Sequence, residues 1–303
     1  MATDAQIIDI LDATGHLNMP FGQVRDVHIA KAGLSIGSPF VKEAIASYQS
    51  FNSVPMEPLI SHFYGDVRAS AAVKPDGDAG PATRALFDMP RCQCPDYDPV
   101  VDGEAAEAQG KGNWRGCYNV GDFHSVKIKF TNGPPSFLSP HFDAIKANVR
   151  KMYADMGLLI HWVESGGANI DAIFVNPSGG WIGLAIVSNN SSCGSNIWAK
   201  FDKGYKPSNI VANWTSLFAH EFGHNTGMSH SRGGIMNSYL IGGLAPTWRG
   251  DPSEGLLKSR FGGVPVPIPG DDTGDRKLVV AFEYDDGRLE KLYDLPSGDM
   301  WPT

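Results

Sequence analysis

Apolar residues first fall into a helical rhythm at residues 38–51, SPFVKEAIASYQSF, where Val41, Ala44, Ile45, Tyr48 and Phe51 recur at spacings of three and four. Ser38 stands at the cap position and Pro39 in the first turn, so the pattern predicts a helix with one buried face. A Gly/Asp turn ahead of Pro81, in DGDAGPATRALF, predicts a second helix. Together they describe a small helical domain, to which periodicity alone assigns no chemistry.

Residues 97–113, YDPVVDGEAAEAQGKGN, are small, acidic and Gly-rich, without an apolar period, and read as a protease-sensitive linker. Beyond them the pattern turns mixed. His124–Thr131 alternates as a strand, and Ser139-Pro140 opens a helix with Phe142, Ile145, Val149, Met152 and Met156 on one side. Strands are expected at 158–163, 170–175, 181–188 and 196–201, and helices at 214–226 and near 253–261. The tail, LVVAFEYDDGRLEKLYDL, predicts a hairpin turning at Asp285–Gly287. The expected fold class is α+β. A helical domain (1–96) and a linker (97–113) precede a domain with a twisted mixed sheet and helices (114–265), and a tail follows (266–303).

Composition narrows the partners. A net charge of −8 argues against nucleic acid and anionic membrane, both of which need clustered Lys/Arg. No stretch approaches the roughly 18 apolar residues of a membrane span, so membrane insertion is not expected. Asp4 and Asp9 stand where a secretion signal places Lys/Arg, so no such signal is expected at the N-terminus. Four cysteines are too few for a disulfide scaffold.

The chemistry is concentrated in residues 220–230, HEFGHNTGMSH. His220 and His224, four apart, project from one face of a helix and can share one Zn²⁺. Gly227 permits the left-handed turn that ends the helix and lets the chain double back to present His230. Three protein ligands leave a fourth position open, the arrangement of a catalytic zinc. Glu221, beside the first ligand, is placed to take the proton of the water that zinc activates.

HExxHxxGxxH is the metzincin signature, and the chain resembles the matrixin branch of those zinc peptidases. Met236, in SRGGIM six residues past His230, resembles the Met-turn, and Ser231 follows the third histidine as in matrixins. GGWIGLAI (179–186) resembles their substrate-binding edge strand, Asn213 the start of their active-site helix, and LLKSRFGG the end of their last helix. AIASYQSF and DGDAGPATRALF resemble the peptidoglycan-binding-like helical domain that commonly forms the matrixin prodomain, with an insertion near residues 54–73. The resemblance implies an extracellular zinc endopeptidase acting on protein or peptide substrates. His220, His224 and His230 would be ligands, Glu221 the general base and acid, and Met236 a floor beneath the metal. Substrate would pair along Gly183, Leu184 and Ala185, and the S1′ pocket would lie near Ser216 and Tyr239. The second, structural zinc usual in matrixins is not expected, because residues 162–219 contain no histidine. Calcium (Ca²⁺) is left open; Asp171 and Asp202 read as ordinary turn or strand-end residues.

PRCQCPD (90–96) resembles the matrixin latency motif PRCGxPD. The resemblance implies that Cys92 occupies the open zinc position, with Arg91 and Asp96 paired to fix the loop. A disulfide from this pair to Cys117 or Cys193 is the competing reading, and Cys94 has no assigned role. The competing function is that of a binding protein attached to peptidoglycan or to a virion, with the peptidase-like part as scaffold or acting on wall peptides.

Overall fold

The computed structural model describes residues 1–18, 33–52, 73–89, 91–94, 96, 119–120, 123–177, 181–186, 197–231, 234–239, 247–268, 278–283 and 289–293. The expected linker, the 54–72 part of the expected insertion, Cys117 and Cys193 lie outside them. The chain divides into a compact unit of Met1–Val266 and a second unit of Pro267–Thr303. In the second unit β8 (Leu278–Glu283) and β9 (Leu289–Tyr293) pair antiparallel, while the expected turn at Asp285–Gly287 lies outside the described residues.

The first unit begins with three helices, α1 (Asp4–Ala13), α2 (Pro39–Phe51) and α3 (Pro81–Asp88). Ser38 caps α2 by accepting from Val41 N, and the predicted face of Val41, Ala44, Ile45, Tyr48 and Phe51 is buried. The helix α1, absent from the sequence expectation, starts at a capping box in which Thr3 and Gln6 satisfy each other's backbone N–H groups. Gln49 joins the two halves of the helical motif. Its Nε2 donates to Asp76 Oδ1 at 3.0 Å and Thr83 Oγ1 at 2.9 Å, and its Oε1 accepts from Gly77 N at 2.9 Å.

A seven-stranded sheet follows, in the order β1-β6-β7-β5-β3-β2, with β4 also on β3. Its strands are β1 (Arg91–Cys92), β2 (Asn119–Val120), β3 (Phe123–Phe130), β4 (Leu158–Trp162), β5 (Ile170–Val175), β6 (Trp181–Ala185) and β7 (Ile197–Asp202). β3, β4, β5 and β7 run parallel, whereas β6 is antiparallel to β7. A 3₁₀ turn, Ser139–His141, leads into α4 (Phe142–Ala154), which buries the predicted Ile145, Val149 and Met152. The last two helices are α5 (Ile210–Asn225) and α6 (Glu254–Phe261).

α5 is the centre of the unit, with every residue from Asn213 to Asn225 buried. Trp214, Phe218 and Phe222 stack down one side against Phe174 and Phe201 of the sheet. Each such ring contributes about 1.5–3 kcal/mol of burial free energy. This packing fixes the height and rotation of the helix that carries His220, Glu221 and His224. α5 begins four residues earlier than expected, with Asn209 as its cap, so Asn213 lies one turn inside it.

Candidate metal centre

His220 and His224 stand on successive turns of α5, and their Nε2 atoms are 3.1 Å apart. The helix ends at Thr226, and Gly227 takes φ 81°, where its N–H donates to His224 O at 2.8 Å. The turn brings back His230, whose Nε2 lies 3.2 Å from that of His224 and 3.3 Å from that of His220. A tetrahedral site with Zn–N bonds of about 2.0–2.1 Å has N···N edges of about 3.3 Å.

The opposite ring nitrogen of each histidine faces an acceptor. His220 Nδ1 donates to Ile235 O at 2.6 Å, His224 Nδ1 to Met228 O at 2.7 Å, and His230 Nδ1 to Asp96 Oδ1 at 2.8 Å. Those bonds place the ring hydrogens on Nδ1, so three Nε2 lone pairs converge on one point. Burial lowers the pKa of all three rings, that of His220 to about 3, so they are neutral. Neutral lone pairs aimed at one another are the donor set that a divalent cation satisfies.

Cys92 Sγ supplies the fourth corner, 3.6 Å from His224 Nε2, and forms a cluster of potential metal ligands with the three histidines. With Zn–S near 2.3 Å, the sulfur-to-nitrogen edge of such a site is about 3.5 Å. The residues therefore fit a single zinc with three nitrogens and one sulfur. Among the described residues, the clusters of potential metal ligands all lie here. Asp202 instead accepts from Gly204 N in a turn, and Asp171 is a half-buried strand residue with its Oδ1 3.8 Å from Lys129 Nζ.

Glu221 is fully buried beside this cluster. Its Oε2 lies 3.6 Å from Cys92 Sγ, and its Oε1 has no hydrogen-bond partner among the described residues. Burial, reinforced by the nearby Cys94, raises its pKa well above the ordinary value. Burial likewise pushes the Cys92 thiol up. Met236 is buried against α5, its sulfur 2.5 Å from where a Cβ on Gly223 would stand. The preceding Ile235 is tied down on both sides, because its O holds His220 and its N donates to Asp251 Oδ2 at 2.6 Å.

The 91–96 loop runs across the front of the site. β1 pairs parallel with β6, and Gln93 N donates to Gly183 O at 3.0 Å. Cys94, unassigned from sequence, uses its sulfur in place of a backbone group, donating to Ala185 O at 3.2 Å and accepting from Ala185 N at 3.4 Å. Both thiols are free. Arg91 is nearly fully buried and donates to Asp96 Oδ1 at 2.6 Å, Tyr48 Oη at 2.9 Å and Cys92 O at 3.0 Å.

Ser216 is buried on α5, next to Leu217, whose side chain reaches Gly183. Leu184 lies half-buried on β6. Tyr239 packs into the core of the N-terminal helices, where its hydroxyl meets that of Tyr48 and donates to Leu86 O at 3.0 Å.

Residues 122–231 match the family model described as metallo-peptidase family M12B, reprolysin-like. No curated protein matches the chain significantly. The matched family is a metzincin family of a different branch from the matrixins that the sequence motifs resemble. The match covers β3 to β7, α4, α5 and all three histidines, but not β1, β2 or the N-terminal helices. Family match and ligand cluster together point to a zinc peptidase.

Proposed function

We propose that the chain is a latent zinc metalloendopeptidase of matrixin-like organisation. Residues 1–96 act as an inhibitory prosegment, 97–113 as the stretch cut on activation, and 114–265 as the peptidase. The observation that carries this reading is the seat of Cys92, whose sulfur lies 3.6 Å from both Glu221 Oε2 and His224 Nε2. A thiolate at the fourth zinc position excludes water, and so silences the site.

Zinc held by the three histidines would supply Lewis acidity, lowering the pKa of water toward about 7 and polarising a peptide carbonyl. The remaining work falls to the chain. Glu221 accepts the proton of the attacking water and returns it to the leaving amine, a task suited to a carboxylate whose pKa is raised by burial. An extended protein or peptide substrate takes the edge of β6, pairing at Gly183–Ala185 by strand addition. Residues 91–94 occupy that same edge, so the prosegment must leave both the metal and the strand before substrate enters. The matrixin resemblance extends this reading to an extracellular setting.

The test uses full-length protein nicked within 97–113 by trypsin, which is then inactivated and removed before the assay. Casein hydrolysis is expected only after nicking, and a zinc chelator should abolish it. A Glu221→Ala variant that binds zinc yet cleaves as fast as wild type would sink the mechanism.

A further inference from the structure

The three acceptors behind the ligand histidines differ in kind. Ile235 O and Met228 O are neutral carbonyls of the peptidase segment, 15 and 4 residues from the histidines they hold, whereas the acceptor for His230 is the carboxylate of Asp96, 134 residues away in the proposed switch loop. Asp96 is fully engaged. Its Oδ1 also accepts from Arg91 Nη2 at 2.6 Å, its Oδ2 accepts from His16 Nε2 at 3.0 Å, and its N–H donates to Thr14 O at 3.0 Å. Because the His16 hydrogen is spent on Asp96, Nδ1 of that ring accepts from Ser47 Oγ at 2.9 Å. A buried chain thus runs from Ser47 on α2 through His16 and Asp96 to His230.

A carboxylate accepts more strongly than a peptide carbonyl, and a carboxylate behind a ligand imidazole raises the basicity of its metal-facing nitrogen. We propose that Asp96 is an outer positioning residue of the metal centre, through which the N-terminal segment holds the metal in the latent chain as well as blocking it. The proposal rests on the latent zinc-peptidase reading and adds a second handle to it. Cys92 meets the metal directly, and Asp96, four residues on, grips the far side of His230. Departure of the segment removes both, so the opened enzyme holds its metal less tightly than the loss of one sulfur ligand accounts for.

The experiment uses the full chain with Zn²⁺ and Co²⁺ as probes. Zn²⁺ affinity is measured by competition with a chromophoric chelator, and the near-ultraviolet sulfur-to-cobalt charge-transfer band reports whether Cys92 is bound. Asp96→Asn keeps the shape of the side chain but removes its charge. It is expected to weaken Zn²⁺ binding by about 10- to 100-fold while the thiolate band persists. Unchanged affinity overturns the proposal. Loss of the band together with affinity also overturns it, because Asp96 would then act only by holding Cys92 in place. Should the asparagine variant not fold, Asp96→Glu carries the test. It keeps a charge opposite Arg91 but displaces the carboxylate by a methylene, and the same ratio and band are read. A missing band in the wild type counts against the cysteine-switch reading alone, and the affinity ratio still decides for or against Asp96.

Discussion

Gly183 of β6 lies directly against Glu221: a Cβ at that position would stand 2.0 Å from Glu221 Oε1 and 2.8 Å from Leu217 Cδ1. The strand proposed to offer backbone to a substrate therefore also sets how far the carboxylate can lean. Both atoms end flexible side chains, so Gly183→Ala should displace Glu221 rather than unfold the protein. The nicked variant should lose at least about tenfold in kcat, since a misplaced general base forfeits much of a 10²–10⁴-fold contribution. Its melting temperature should move by only a few degrees. Activity assays and thermal scans run side by side check the pairing.

Cys92 and Cys94 have different partners and should mutate differently. Cys92 faces the ligand cluster, whereas Cys94 pairs with both backbone groups of Ala185. Cys92→Ser should hydrolyse casein without nicking, because a neutral hydroxyl is a much poorer zinc ligand than a thiolate. Cys94→Ser keeps a donor and an acceptor at the edge strand and should stay latent. Comparing un-nicked activity of the two variants decides the matter, and equal activation would show that the loop blocks through the strand rather than the metal.

The contrast between α2 and α5 shows which features were legible in the sequence. α2 is half-buried, so Ser38, Pro39 and the spacing of Val41 to Phe51 announced both its start and its inner face. From Asn213 onward α5 is buried all round, so its polar residues do not mark a solvent face that would give it a period. Periodicity therefore starts it at residue 214, whereas the helix begins at Ile210 with Asn209 as its cap. The convergence of His220, His224 and His230 is legible because HExxHxxGxxH is a local motif whose geometry follows from one helix and one turn. The partners of Asp96 are not, since His16 is 80 residues away and His230 134. Only the fold brings them together. The Thr3–Gln6 capping box was present in the sequence and would have located α1.

Arg260 on α6 closes the end of the ligand helix. Its guanidinium donates to Thr226 O and, at 3.1 Å, to Gly227 O, the carbonyls left over where α5 stops. Arg260→Met keeps most of the packing and removes both charged donors. The full chain should lose about 1.5–3 kcal/mol of stability, the range for hydrogen bonds to a charged group, read from denaturant unfolding. Gly227→Ala strikes the same turn from the backbone side, because φ 81° costs an L-residue about 1–2 kcal/mol. That variant should also bind Zn²⁺ more weakly, since the turn sets where His230 returns.

Asp76 provides a pH prediction remote from the metal. Backbone N–H donation from Asp78, together with Gln49 Nε2, lowers its carboxyl pKa below the ordinary value. A depressed carboxylate contributes stability that is present above its unfolded pKa and is lost as pH falls through its folded one. The turn that joins the two halves of the helical motif should therefore loosen in acid, below about pH 4. Asp76 is exposed, so the effect is small and screened by salt. Asp76→Asn retains an acceptor oxygen for both donors but cannot be protonated in this range. At pH 7 the variant should match or fall slightly below wild type, while between pH 4 and 2 its stability should fall less steeply. Unfolding midpoints measured across that range, at low and at high salt, separate this carboxylate from the others. If the two proteins lose stability in parallel, the turn is held by Gln49 and Gly77 without help from the charge.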